Sequence, residues 1–227
     1  GNLDEAIEAY KKTISLKPDY AEAYSNMGVA LRNQGKFEEA IEAYKKSISI
    51  KPNYAEAYNN MGVTFKDQGK FDEAIEAYKK SILLKPNYAE AYDNMGVALK
   101  NKGKFDEAIE AYHKAISIKP IHANTYYNMG NALRDQLKLD EAIEYYNKSI
   151  SLNPNYTDAF NNMGIALHYQ DTSEEAIQAY RKAISFNPDS AETHQNLGFM
   201  LLRSGKLTEG LDELEWRWKN PQFLSIQ

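Results

Sequence analysis

The chain has 227 residues, of which 43% are hydrophobic and 26% are charged, a balance that argues against intrinsic disorder. Its formal net charge of -5 repels polyphosphates, so nucleic acid is not an expected partner. Because the chain has no cysteine, disulfides, cysteine nucleophiles and cysteine-based zinc sites are excluded.

Targeting and membrane signals are also missing from the sequence. The first ten residues are polar and acidic, unlike a signal peptide, and no run approaches the roughly 18 apolar residues of a membrane span. We therefore expect a soluble protein that has no membrane partner and is located in the cytoplasm.

A period of 34 residues runs through the chain and is marked by Pro18, Pro52, Pro86, Pro120, Pro154 and Pro188. A fixed period of this size indicates stacked structural repeats. We number each repeat from the third residue after a proline. The predicted single domain, 1–227, then contains a half repeat at 1–20, full repeats at 21–54, 55–88, 89–122, 123–156 and 157–190, and a degenerate capping repeat at 191–224.

The elements follow from the apolar spacing. The half repeat supplies one helix, Leu3 to Leu16, and its start at Gly1, in mid-repeat, is interpreted as an engineered or processed cut. In the repeat 55–88, apolar residues recur every three or four positions on both sides of Gly69, which predicts two amphipathic helices. The glycine supplies the left-handed residue between them, and Pro86 follows the second helix.

A set of residue types recurs at the same places in successive repeats. In the repeat 55–88 these residues are Tyr58, Met61, Gly62, Ala74 and Tyr78, with Pro86 near the end. This pattern resembles the tetratricopeptide repeat (TPR). The resemblance implies an all-α, right-handed superhelical solenoid of stacked antiparallel helix pairs, in which small residues allow close helix approach and aromatic residues fill the space around them.

One face of each first helix is the expected binding surface. In this family, positions 2, 5, 6, 9, 12 and 13 line a concave groove. Position 6 is asparagine in every repeat from the first full one onward: Asn26, Asn60, Asn94, Asn128, Asn162 and Asn196. An amide offers a donor and an acceptor together, so this row could hold a peptide backbone. The alternative is structural: each asparagine could bond to the backbone of the adjacent repeat.

The asparagine row resembles the ladder in the tetratricopeptide arm of O-linked N-acetylglucosamine transferases. Two further rows border it. Position 12 is basic in four repeats, at Arg32, Lys66, Lys100 and Arg134. Position 2 is acidic in most repeats, at Glu22, Glu56, Glu90, Asp158 and Glu192. These charges are either part of a recognition pattern or simply solvated helix ends.

The sequence contains no motif that indicates catalysis or cofactor binding. The four histidines, His113, His122, His168 and His194, fall at different repeat positions without metal-ligand spacing. No glycine-rich phosphate loop or serine-centred elbow is present. We therefore expect neither enzyme activity nor a bound metal or cofactor.

Several positions depart from the repeat. Leu137 and Asp171 replace the glycine between the helices, and we expect the leucine either to cost about 1 kcal/mol or to force a different turn. Tyr127 and Asn131 make one groove segment unlike its neighbours, which suggests ligand specificity there.

The degenerate repeat contains both tryptophans, Trp216 and Trp218, which we interpret as part of a capping helix. This ending also resembles the last repeat of bacterial tetratricopeptide proteins that continue into a glycosyltransferase-like domain, with Pro221 to Gln227 as a cut linker.

Taken together, these features predict a non-enzymatic scaffold that binds a protein or an extended peptide in its groove. One alternative is a substrate-presenting arm of a larger glycosyltransferase-like enzyme. The other is a structural rod that self-associates end to end through its open first helix.

Overall fold

The computed structural model describes residues 3–219, with side chains described through residue 216. Within that range the secondary structure is entirely α-helical. The helices are α1 (Leu3–Leu16), α2 (Ala21–Asn33), α3 (Phe37–Ile50), α4 (Ala55–Asp67), α5 (Phe71–Leu84), α6 (Ala89–Asn101), α7 (Phe105–Ile118), α8 (Ala123–Asp135), α9 (Leu139–Leu152), α10 (Thr157–Tyr169), α11 (Ser173–Phe186), α12 (Ala191–Arg203) and α13 (Leu207–Lys219). The predicted start at Gly1 and the predicted linker from Pro221 to Gln227 lie outside the described residues.

The helices form two compact units, Gly1–Pro120 and Ile121–Gln227. In the first unit, α2 packs on α3, α4 on α5 and α6 on α7, and each pair packs on its neighbour. In the second unit, α8 packs on α9, α10 on α11 and α12 on α13, again with neighbouring pairs in contact. The predicted fold class, all-α with stacked helix pairs, is confirmed.

A glycine packs against a tyrosine where the two helices of each full repeat meet. A Cβ atom at Gly62 would lie 2.7 Å from Cε1 of Tyr78, closer than a carbon contact allows. Tyr78 is fully buried, as is Ala74 one turn earlier on the same helix. The same glycine-to-tyrosine contact recurs in the other full repeats. The predicted close approach at this position is therefore confirmed.

The turn inside each pair depends on one left-handed residue. Gly103 lies in the turn after α6 with φ of 75°, and its N–H donates to the Lys100 carbonyl over 2.9 Å. Leu137 takes the same conformation, with φ of 62° and a 2.8 Å bond from its N–H to the Arg134 carbonyl. Asp171 also has positive φ, at 64°. The leucine therefore adopts the turn of the glycines and does not force a different one, which leaves its backbone strained.

The last pair is closed by a polar and aromatic contact. His194, which stands at position 4 where other repeats have tyrosine or phenylalanine, stacks on Trp216 with ring centroids 4.0 Å apart. One ring nitrogen of His194 contacts Glu213 Oε2 at 2.5 Å, and the other contacts the Pro188 carbonyl oxygen at 2.9 Å. Trp216 thus covers the end of α12, while the Trp218 side chain lies outside the described residues.

Candidate functional site

The first-helix face is the side of α2, α4, α6, α8, α10 and α12 that carries position 6. The six predicted asparagines lie there, Asn26 exposed and the other five half-buried: Asn60, Asn94, Asn128, Asn162 and Asn196. Of the two predicted specificity residues in α8, Tyr127 is half-buried and Asn131 is buried.

Position 5 is buried in three of the six repeats and half-buried or exposed in the other three, so it can line the open part of this face only in the latter. Ser25, Asn59 and Asn161 are all buried. Position 5 lies about 100° around the helix from position 6. The first helix of the following repeat covers it, because Asn59 bonds to Glu90 and Asn94.

Hydrogen bonds join position 6 of one repeat to position 5 of the preceding repeat. Asn94 Nδ2 donates to Asn59 Oδ1 over 3.2 Å, and Asn196 Nδ2 donates to Asn161 Oδ1 over 3.3 Å. The partner is therefore a side chain, and not the backbone that the structural alternative suggested. Each bond fixes which way the amide of the position-6 asparagine points.

The fixed orientation leaves the amide oxygen available. Neither Asn94 Oδ1 nor Asn196 Oδ1 accepts a hydrogen bond within the described residues. Where position 5 is Ser25, the shorter side chain does not reach, and Asn60 forms no side-chain hydrogen bond within the described part of the chain. The asparagine row therefore combines amides held by a neighbour with amides that are not held.

The second unit carries a denser polar cluster, formed by Tyr127, Asn131, Tyr146 and Asn162. Asn162 Nδ2 donates to the Tyr127 hydroxyl over 3.0 Å and to Asn131 Oδ1 over 2.9 Å. The same Asn131 oxygen accepts a hydrogen bond from the Tyr146 hydroxyl over 2.8 Å. Tyr127 also packs on Tyr156, with ring centroids 4.9 Å apart. The cluster therefore joins two repeats through side chains alone.

Both phenols of the cluster keep their protons at neutral pH. Burial raises the pKa of Tyr146 far above its ordinary value. Burial also raises the pKa of Tyr127, an effect that its hydrogen bonds with Asn131 and Asn162 partly offset. A protonated Tyr146 can donate its hydroxyl hydrogen, which is the role that Asn131 Oδ1 requires.

The basic row at position 12 is half-buried at all four residues, Arg32, Lys66, Lys100 and Arg134. Carboxylates at position 13 accompany it. Asp67 Oδ2 lies 3.8 Å from Arg32 Nε, Asp67 Oδ1 lies 3.5 Å from Lys66 Nζ, and Asp135 Oδ1 lies 2.9 Å from an Arg134 guanidinium nitrogen. These contacts neutralise part of the positive charge that the row alone would present.

Two members of the acidic row at position 2, Glu22 and Glu56, are paired within their own repeats. Glu22 accepts a hydrogen bond from Lys51 over 2.8 Å, and Glu56 accepts one from Lys85 over 2.6 Å. The Lys51 ammonium holds the pKa of Glu22 below its ordinary value. In these repeats the position-2 carboxylates thus tie the start of the first helix to the end of the second.

Family models of the tetratricopeptide repeat match most of the chain. One, described as TPR repeat, matches residues 1–35, 28–69, 98–136 and 173–205. Two described as Tetratricopeptide repeat match residues 55–88 and 123–156, and residues 77–110 and 145–178. The chain belongs to the tetratricopeptide repeat family. The finer resemblance of this TPR protein to the arms of glycosyltransferases stays a prediction.

Solved structures share the TPR fold. That of MamA is 33% identical in a match that covers 73% of this chain and 97% of MamA, with a TM-score of 0.67. PilF of Pseudomonas aeruginosa is 21% identical in a match that covers 100% of this chain and 99% of PilF, with a TM-score of 0.75. YrrB, described as a TPR protein with an unusual peptide-binding site, is 23% identical in a match that covers 88% of this chain and 100% of YrrB, with a TM-score of 0.66. No curated protein matches this TPR protein.

Three residues of the TPR site were missed from the sequence. Asn59 and Asn161 hold position-6 asparagines, and Tyr146 holds Asn131. The sequence contains a signal for these partners, because the residue at position 5 differs between repeats and position 9 is polar only at Asn131, whereas position 6 is always asparagine. The sequence does not give the distance between neighbouring repeats, and that distance determines which of these side chains contacts a position-6 asparagine.

The described part of the TPR chain shows neither a cluster of metal-binding side chains nor a membrane-spanning helix. Among the described residues, no group of three or more histidine, aspartate or glutamate side chains is arranged to hold a metal ion. None of the described helices is both long enough and apolar enough to cross a membrane.

Proposed function

We propose that this TPR protein is a scaffold that holds an extended segment of another protein along the first-helix face. The asparagines at position 6 contact the main chain of the ligand, Arg32, Lys66, Lys100 and Arg134 contact its acceptor groups, and Tyr127 with Asn131 supplies selectivity. A primary amide suits this task, because it can bond to a peptide group whatever the ligand's side chains are.

The observation that carries this proposal is the fixed orientation of the amides. Asn94 and Asn196 are held through Nδ2, with Oδ1 left to accept a hydrogen bond from a ligand N–H. A ligand that meets a pre-oriented amide loses less conformational freedom of the protein on binding. Repetition of the amide within each unit suits an extended ligand.

Two other functions follow from the sequence and stay proposals of lower rank. A substrate-presenting arm of a glycosyltransferase-like enzyme would use the same face for the same purpose. A self-associating rod would instead use the ends of the solenoid, and concentration-dependent mass in sedimentation would reveal it.

Asn60 makes a clean test of the groove possible. Its amide is half-buried on the first-helix face, and it forms no side-chain hydrogen bond within the described residues. Asn60→Ala together with Asn26→Ala therefore removes two amides from the row without breaking a bond between repeats. Asn53→Ala with Asn87→Ala, both exposed in the proline turns, is the matched control.

The probe is an unbiased library of displayed 12-residue peptides, selected on the wild-type chain. Selected peptides are then measured by fluorescence anisotropy against both double variants. We expect the Asn26/Asn60 variant to bind at least about tenfold more weakly, as two lost hydrogen bonds imply, with an unchanged melting temperature. Equal binding by both variants, or no peptide selected by the wild type, would contradict the proposal.

A further inference from the structure

A cavity lies on another side of the helix pair in the repeat 55–88. It has a volume of about 430 Å³, and Tyr58, Met61 and Phe65 of α4 line its floor. These side chains, at positions 4, 7 and 11, lie roughly 130° around α4 from Asn60, so the cavity is separate from the first-helix face. All three are half-buried, and a volume of this size is typical of ligand pockets. We call this cavity the second-helix pocket.

The second helix of the pair, α5, forms the wall of the second-helix pocket. Ala77, at position 23 of the repeat, is buried beside the floor and has only a methyl group to fill the space there. Related cavities occur in the repeats 89–122 and 157–190, where position 23 is again alanine, at Ala111 and Ala179. The cavity therefore recurs with this small residue.

In the repeat 123–156 a tyrosine takes the place of this alanine. Tyr145 stacks on Tyr126 of position 4, with ring centroids 6.1 Å apart and an angle of 29° between the rings. Met129, at position 7, is only 1% exposed, whereas Met61 is half-buried. A ring of the chain itself therefore occupies the space that stays open beside Ala77.

The degenerate repeat 191–224 closes the same place with another ring. Trp216 comes from position 26 of that repeat and stacks on His194 at position 4. Leu197, at position 7, is only 1% exposed. Two repeats thus cover the floor of this place with an aromatic side chain, which indicates the kind of group that fits the open pocket.

Charges at the rim of the second-helix pocket indicate what accompanies such a ring. Glu73 lines the pocket, is exposed, and forms no ion pair or hydrogen bond within the described residues. Asp72 and Glu76 also line the pocket, but Lys102 pairs with the first and Lys79 with the second. The carboxylate of Glu73 therefore stays available for a cation of a ligand.

The filled place in the repeat 123–156 shows how a cation and a ring combine there. Lys148 Nζ lies 4.9 Å from the centre of the Tyr145 ring and 2.5 Å from Glu144 Oε1. The ring is thus covered by an ammonium group that also meets a carboxylate, an arrangement that cation–π attraction favours. Lys80 lines the second-helix pocket at the same repeat position as Lys148.

We propose that the second-helix pocket docks an aromatic side chain of a partner protein that has a lysine or arginine next to it. The ring packs on Tyr58 and Met61, as the chain's own ring packs in the repeat 123–156. Lys80 covers the ring, and the cation of the partner pairs with Glu73. This surface is additional to the first-helix face and is independent of the proposed groove function.

The methionines of the chain report on this surface. Five of the six stand at position 7 of the five full repeats: Met27, Met61, Met95, Met129 and Met163. Isotope labelling of the methionine methyl groups gives one NMR signal for each, and replacement by leucine assigns the signals. The probe is the peptide acetyl-Lys-Trp-Lys-amide, titrated into the whole chain. Its controls are acetyl-Glu-Trp-Glu-amide, with reversed charge, and acetyl-Lys-Ala-Lys-amide, without the ring.

We expect acetyl-Lys-Trp-Lys-amide to shift the Met61 signal in a saturable way and to leave the Met129 signal unchanged, because Tyr145 already fills that place. The glutamate peptide should bind at least about threefold more weakly, because its charge opposes Glu73. The alanine peptide should not shift the Met61 signal. A Met61 signal that does not respond, or that responds equally to either control peptide, would overturn the proposal.

Two substitutions exchange the residue at position 23 between repeats. Ala77→Tyr introduces the side chain that the repeat 123–156 carries, so the affinity measured at Met61 should fall at least about tenfold. Tyr145→Ala should give Met129 a response that the wild type lacks. An unchanged response of Met61 in the first variant, or a silent Met129 in the second, would overturn the proposal. If Ala77→Tyr does not fold, the result for Tyr145→Ala decides.

Glu73→Gln tests the cation. It should reduce the preference for the lysine peptide over the glutamate peptide at least about twofold. Glu141→Gln removes the same charge at the same position of the repeat 123–156 and should leave the preference at Met61 unchanged. A preference that survives Glu73→Gln in full, or that both variants reduce equally, would overturn the pairing of the partner's cation with Glu73. Asn60→Ala should leave the affinity at Met61 unchanged, which separates this surface from the first-helix face.

Discussion

Tyr146 donates its buried hydroxyl to Asn131 Oδ1 over 2.8 Å, whereas the hydroxyl of Tyr78, at the same place in its own repeat, is buried without a hydrogen-bond partner in the described structure. The difference follows from position 9, which is Asn131 in one repeat and Val63 in the other. Two tyrosines with identical packing roles therefore differ in what their hydroxyls contribute to stability.

Removing the two hydroxyls should have opposite consequences. We expect Tyr146→Phe to lower the free energy of unfolding by about 1 kcal/mol, because it removes a satisfied hydrogen bond and leaves Asn131 with one fewer donor. Tyr78→Phe should leave stability unchanged or raise it slightly, because it removes an unsatisfied buried group. Urea unfolding of both variants gives the comparison. A loss of similar size in both would mean that the Tyr146 bond contributes nothing.

Replacing the left-handed Leu137 with glycine should increase the stability of the protein. Its φ of 62° strains the backbone, and its side chain is 71% exposed, so little packing is lost on replacement. We expect Leu137→Gly to raise the free energy of unfolding by about 1 kcal/mol. The reverse change, Gly69→Ala at φ of 74°, should lower it by a similar amount, because a Cβ there meets no atom within 4 Å and only the backbone is strained. Destabilisation by Leu137→Gly would refute the strain argument.

Substitution of Gly62, which packs against the Tyr78 ring, should destabilise the protein more than substitution of Gly69 in the turn. A Cβ at Gly62 would lie 2.7 Å from the buried Tyr78 ring, so the ring or the helix must move. We expect Gly62→Ala to cost about 2–3 kcal/mol, in the range of overpacked cores. Compared by thermal unfolding, it should lower the melting temperature clearly more than Gly69→Ala does. An equal decrease in melting temperature for the two variants would show that the Cβ contact with the Tyr78 ring does not add to the cost of substitution at Gly62.

The hydrogen bond between repeats should appear as a coupling energy. Asn94→Ala removes the donor to Asn59, so we expect a loss of about 1 kcal/mol, while Asn60→Ala should cost close to nothing because its amide has no partner among the described residues. A double-mutant cycle of Asn59→Ala with Asn94→Ala isolates the bond. Additive losses in that cycle would show that the two amides do not interact in solution.

High pH should unfold the protein through its buried tyrosines. Burial raises the pKa of Tyr44 from 10.0 to about 12, and it raises the pKa values of Tyr78, Tyr146 and Tyr180 as well. The unfolded chain then loses these protons first, so stability is constant below about pH 10 and falls above it, by about 1.4 kcal/mol per pH unit for each such tyrosine. Absorbance at about 295 nm should show these phenols ionising together with the loss of helical signal. Ionisation of all 17 tyrosines near pH 10 with helicity intact would contradict the burial of these four.

The sequence by itself determined the period, the helices and the packing inside each pair. The spacing of prolines and apolar residues located the two helices of each repeat, and Gly62 with Tyr78 identified where they approach. These features follow from local geometry, since 3.6 residues per turn dictate which side chains share a face. The sequence also indicates the exception, because Leu137 occupies the position at which other repeats have a left-handed glycine.

Only the tertiary structure decided what the polar residues of that face do. Helical periodicity places Asn59 and Asn94 on their own helices, but it does not say how far the next helix lies or which side chain it brings near. That distance buries Asn59, fixes the amide of Asn94, and bonds Asn131 to both Tyr146 and Asn162. Because a hydrogen bond depends on distances of a few tenths of an ångström, the donors and acceptors left for a ligand follow from how the repeats stack.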